Sequence, residues 1–164
     1  MKAVGKYQIS INGSDWEQED NLVVDEGLNY ILNTAFGSWQ SDKFYIALFK
    51  GSATPQPDWK ASNFSAVADE IVSETEGFVG DRLEWIPVDT TNLQINNRGF
   101  EVSIIMKTAS SITVTGSALL TSNIRGSTNG KLISACKFSA PRVFQDGDEF
   151  RIGYYIELDD EDGV

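Results

Sequence analysis

Three acids, Asp146, Asp148 and Glu149, crowd around Gly147 in the stretch FSAPRVFQDGDEF. Carboxylates set this close could grip a hard cation or share a proton in acid–base chemistry. A calcium loop, however, needs acids at alternate positions and a distal glutamate, and that spacing is missing here. A DG pair between two apolar runs is what a tight turn requires sterically, so the cluster reads as the corner where one strand hands over to the next. The acids from Asp69 to Asp89 could in principle supply the carboxylate pair of a glycosidase, but they read more simply as solvated acidic surface. The chain has no histidine, which removes the commonest general base, the imidazole metal ligand and every Ser/His or Cys/His pair. Its single cysteine, Cys136, sits in the apolar run KLISACKF and reads as a buried structural thiol, and no intrachain disulfide can form. No catalytic group, metal site or cofactor is expected.

Tryptophans are the other residues able to do something specific. Trp39 and Trp59 stand in loop-like settings beside glycine, proline and aspartate, where an indole is either a lid over the core or an exposed anchor for a partner or sugar ring. Trp16 shares that ambiguity, whereas Trp85, next to Leu83 and Ile86, reads as core. Trp39, Trp59 and the loop holding Pro55 and Pro57 are the candidate partner-contact residues.

The elements that must position these groups follow from patterning. At 164 residues the chain is expected to form one domain, residues 1–164. A net charge of −11, from 13 basic and 24 acidic residues, repels phosphate backbones, so no nucleic-acid partner is expected. MKAVGKYQIS lacks the apolar core of a signal peptide and the longest aliphatic or aromatic run is YIALF, so synthesis in a cytoplasm and no membrane partner are expected.

VGKYQISI alternates as a half-buried strand; NGSDWEQEDN, turn-rich and acidic, reads as a loop. In VDEGLNYILNTAFG, Val24, Leu28, Ile31, Leu32 and Ala35 share one face of a helix, with Asp25 and Glu26 at its positive end and Gly37 as its stop. KFYIALFK is apolar on both alternating faces and should be covered on both sides. GSATPQPDWKASNF reads as a long surface loop, and SAVADEIVSETEGF is ambiguous between a short helix and an irregular crossing. GFEVSIIMKT, SITVTGSALLTS, KLISACKF and EFRIGYYIEL read as strands with one wet face, separated by the turn-rich RGSTNG and QDGD. Seven or eight strands with one short helix near the N-terminus predict an all-β fold, an antiparallel two-sheet sandwich, possibly jelly-roll-like. The N-terminal strand and the acidic tail, with five acids in Glu157 to Asp162, are candidates for intersubunit contact by edge-strand addition.

DEGLNYILNTAFG, then FYIALFKGSATPQPDW, then ALLTSNIRGSTNGKLISACKFSAPRVFQDGDEFRIGYYIEL resembles a recurrent small virion protein of tailed bacteriophages. Leu28, Ala47, Leu48, Gly130, Leu132, Phe138, Pro141, Arg142, Gly147 and Asp148 fall on that pattern. The resemblance implies a virion structural component: a capsid cement or decoration protein that binds the outside of the shell, its partners being the major capsid protein and itself as a homo-oligomer, dimer or trimer. A tail or neck component with a carbohydrate- or receptor-binding β-sandwich is the alternative. Neither role needs a proton shuttle or a cofactor.

Overall fold

The computed structural model describes residues 2–159, so the acidic tail beyond Asp159 lies outside the described residues. In chain order the elements are β1 (Lys2–Ile11), β2 (Glu17–Asp20), β3 (Leu22–Val23), α1 (Asp25–Ala35), β4 (Phe44–Phe49), α2 (Ala61–Ala68), β5 (Leu83–Trp85), β6 (Gln94–Asn96), β7 (Val102–Ile105), β8 (Ile112–Leu120), β9 (Leu132–Phe144) and β10 (Glu149–Asp159). Two antiparallel sheets result. One runs β2-β1-β10-β6, with β7 also on β10; the other runs β3-β9-β8-β4-β5.

The all-β two-sheet sandwich is as expected, but it has ten strands among the described residues, not seven or eight, and two helices, not one. The additional strands are short. β2 arises inside the acidic segment expected to be loop, because its backbone pairs with β1 from Lys6 to Ile9. β6 and β7 lie end to end along one edge of β10, and the Asn97 side chain bridges the gap between them by accepting the Tyr154 N–H at 2.9 Å. β1 pairs with β10 along its whole length, which makes it an inner strand and not a free arm.

Inward residues follow the predicted parity. Tyr7 and Ile9 of β1 and Phe150, Ile152 and Tyr154 of β10 meet Ile46, Leu48, Val114 and Phe144 from the other sheet. The two-faced apolar strand β4 is covered on both sides as expected. Ile46 and Leu48 enter the inter-sheet core, while Ala47 and Phe49 face a second apolar layer made by Trp59, Ala61, Phe64 and Ala68. Gly116 makes room there, since a Cβ on it would lie 2.1 Å from the Phe49 ring and 2.2 Å from the Cys136 carbonyl oxygen. Two bulges shape β9. Between the pairs Val114↔Arg142 and Gly116↔Lys137, Thr115 alone faces residues 138–141, an irregularity that tolerates Pro141. Ile133 is the odd residue between Leu119↔Ser134 and Leu120↔Leu132.

α2 has no Ser, Thr, Asp or Asn at its N-cap, which is Lys60. Asn63 at the third helical position accepts the Lys60 N–H at 3.0 Å, and the Ala61 N–H is satisfied from a distance, by the Glu26 carboxylate at 2.8 Å. It ends at Asp69 in the left-handed region, φ 54°. Burial pushes the Cys136 thiol well up, helped by the Glu19 and Asp20 charges. A thiol reagent at neutral pH is therefore expected to leave Cys136 unlabelled in native protein and to modify it fully in denaturant; fast native labelling would place it outside the core.

Candidate functional site

The acids around Gly147 hold a corner between the two sheets. Gly147 has φ 83°, and the turn closes with Asp148 N–H donating to the Gln145 carbonyl at 3.2 Å. Asp148 accepts from Gln145 N–H at 2.6 Å and from the Asn12 amide at 3.0 Å, and these bonds hold its carboxyl below the usual range. Asp146 accepts from Thr108 N–H and Glu149 from the Ser103 hydroxyl. Every one of the three therefore ties backbone or side chain across the corner.

The acids between Asp69 and Asp89 are likewise dispersed, and one departs from the expected acidic surface. Glu70 is buried, with a bidentate pair to Arg82 at 2.7 and 2.9 Å; it also accepts from Gly126 N–H at 2.9 Å. Glu76 takes the Thr108 hydroxyl at 2.6 Å and Ala109 N–H at 2.9 Å, which lowers its carboxyl. Among the described residues, no group of three or more Cys, Asp or Glu side chains could hold a metal ion. The polar groups that the fold brings together are spent on fixing loops.

The four predicted contact residues divide. Trp59 is 5% exposed, stacked edge-on between Phe49 and Phe64, and Pro55 is also buried. Neither is a surface anchor: Trp59 belongs to the second apolar layer, where it packs on Phe49 at the outer face of β4. Pro57 is exposed and Trp39 is 43% exposed. Trp39, Pro57 and the edge of Trp59 line one open cleft of about 310 Å³ beside α1, with Lys131 5.6 Å above the Trp39 ring. Trp16 is partly exposed under the Arg151 guanidinium, and Trp85 is core, as expected.

α1 is the centre of this region, and Leu28 and Leu32 of its apolar face turn outward. Its inner face is Gly27 and Tyr30, while Leu28, Leu32 and Phe36, spaced four apart, point to solvent at 39, 57 and 87% exposure. Gly27 sets this rotation. A Cβ there would lie 2.1 Å from the carbonyl oxygen of the bulged Ile133, so the bare glycine face is what lets the helix backbone rest on β9. The same carbonyl accepts from Val24 N–H at 3.2 Å. Tyr30 fixes the far end, its hydroxyl bridging to Asp42 and its ring edge-on to Phe44. Glu26 fixes the near end: one carboxylate oxygen accepts both Ala61 N–H and Leu132 N–H at 2.8 Å. Glu26→Ala is expected to cost about 1–3 kcal/mol by stranding two backbone donors, read by chemical denaturation, with Glu26→Gln milder because it keeps an acceptor.

On the other flank of α1, an apolar groove of about 380 Å³ opens between the sheets, lined by Ile31, Ala35, Phe44, Trp85, Ile95 and Ile156 among others. It reaches down to Leu119 and Tyr154, which are 2 and 1% exposed. No helix among the described residues is long and apolar enough to cross a membrane. Set against known proteins, the chain matches no family model and no curated protein.

Proposed function

We propose that this chain is a virion structural protein of a tailed bacteriophage, a cement or decoration protein that binds the outside of the major capsid protein shell and stabilises it. The observation that carries the reading is the solvent-facing row of Leu28 and Leu32, continued by Phe36 at the C-cap, on a helix whose other face is anchored. An apolar row held rigidly outward is the mark of a surface that another protein covers. Leu28 also belongs to the residues that resemble the phage pattern, and it has no core to fill here. A net charge of −11 suits the outer side of a shell whose DNA lies within.

Magnitudes favour many weak contacts. Covering Leu32 and Phe36 is worth about 3–5 kcal/mol gross, while association costs about 4–15 kcal/mol. One copy alone would bind poorly. A homo-oligomer laying several such rows across neighbouring capsid subunits gains affinity by multivalency. Purified protein mixed with undecorated shells is expected to reach saturating occupancy at micromolar concentration and to raise their pressure resistance. The double variant Leu32→Ser/Phe36→Ser should lower the affinity at least tenfold. Absence of shell binding, or selective binding to a glycan array, would replace this reading with the receptor-binding one.

A further inference from the structure

We infer that the groove beside α1 is the receptor for one large apolar side chain presented by a basic segment of the partner, which lies along the Leu28, Leu32 and Phe36 row. The inference names the partner chemistry of the surface proposed above and rests on that reading. Three observations converge on it. First, the groove, about 380 Å³, matches the lower range of preformed binding pockets, about 300–1,000 Å³, and is much larger than a packing defect. Its walls include the aromatic faces of Phe44 and Trp85, the kind of desolvated pocket that holds an interface anchor. Second, it continues the outward row, since Ile31 and Ala35 line it from the same helix that carries Leu28 and Leu32 and is capped by Phe36. A single amphipathic segment can therefore cover the row and place one side chain in the groove.

Third, charge selects the occupant. Beside the groove Asp42 accepts from the lining Tyr30 hydroxyl, and the cleft at the Leu28 end of the row holds Lys2, Lys6, Asp20, Glu157 and Asp159. Lys43 and Glu84 pair at 3.2 Å and cancel, so these four acids and two bases leave a net charge of −2. α1 itself has Asp25 and Glu26 in its first turn and no base in its last. A second copy of this chain would bring the same acids against these, whereas a segment carrying Lys or Arg beside its apolar residues meets complementary charge.

The test uses two 18-residue amphipathic peptides, one of Leu and Lys and one with Glu in place of every Lys, titrated against the protein by tryptophan fluorescence. The Leu/Lys peptide is expected to bind, more weakly as salt rises, and the Leu/Glu peptide to show no binding. Ala35→Gln narrows the groove mouth and Phe36→Ser shortens the row, and neither alters charge. Each should weaken binding about tenfold, with thermal unfolding unchanged, while Val79→Ser, at an exposed site outside the groove lining, leaves it intact. Equal affinity for all variants would reduce the effect to plain charge attraction and overturn the inference. So would equal binding of the Leu/Glu peptide, or self-association that Phe36→Ser abolishes. Undecorated shells separate the two levels. Shell binding that survives Ala35→Gln but is weakened by Phe36→Ser overturns the groove and leaves the decoration role. Peptide binding with the expected variant pattern, but no binding to shells, overturns that role and leaves the groove.

Discussion

Arg82→Ala is expected to lower the stability of this protein by about 3–5 kcal/mol, the cost of breaking a buried ion pair from one side. The Arg82 and Glu70 side chains are 0 and 1% exposed, and the guanidinium bridges both carboxylate oxygens at 2.7 and 2.9 Å. Removing it leaves the Glu70 charge buried with Gly126 N–H as its remaining donor, and frees the Ser122 carbonyl that Arg82 holds at 2.9 Å. At about 2–4 °C per kcal/mol for a chain of this size, the melting temperature should fall by about 6–20 °C. Because water does not reach the pair, the loss should persist in 1 M salt, where a surface bridge would be screened out. Replacing both partners at once, Glu70→Leu with Arg82→Met, should recover most of the loss, since no unpaired charge remains. If Arg82→Ala costs under about 1 kcal/mol, the pair is behaving as a surface bridge and this end of the sandwich is open to water.

That pair also shows what patterning can and cannot reveal. Alternation in EFRIGYYIEL and the two-faced KFYIALFK fixed the sheets and their coverage, because a period of two is a local property that burial enforces residue by residue. Glu70 looked like one more acid in an acidic stretch, because its partner is twelve residues away and meets it only in three dimensions. α2 was hidden for a related reason: its N-cap is a lysine, and the acceptor for its first helical N–H is the carboxylate of Glu26, on another helix. Trp59 and Pro55 looked like a surface loop because proline and glycine mark irregular backbone, yet irregular backbone can still fold inward over an apolar strand face, as it does over Phe49. For α1, periodicity located the helix and grouped Leu28 with Leu32 on one face, but did not say what covers that face. An apolar row reads the same whether a core or another protein covers it. The signal that could have separated the two was Gly27, a poor helix residue whose presence in the helix's first turn called for a close backbone approach.

Gly27→Ala is the second large effect expected, and it opposes what helix propensity alone predicts. Alanine in place of glycine should stabilise a helix by about 1 kcal/mol. Here the new methyl carbon would sit 2.1 Å from the Ile133 carbonyl oxygen and 2.8 Å from its carbonyl carbon, both backbone atoms of a bulge that cannot rotate away. α1 must therefore lift off β9. Lifting strains packing by about 1–3 kcal/mol, and it stretches the bonds from Val24 N–H to Ile133 and from Leu132 N–H to Glu26, worth about 1–3 kcal/mol when lost from buried groups. The net expectation is a loss of about 3 kcal/mol by denaturant unfolding. Leu32→Ser provides the contrast, because at 57% exposure it should move stability by no more than about 0.5 kcal/mol. Under the proposed function both variants lose shell binding, one by displacing the row and the other by deleting part of it, so only the pairing of the two measurements separates scaffold from contact. A neutral or stabilising Gly27→Ala would mean that α1 is not seated on the Ile133 bulge, and the outward row would lose the support that holds it there.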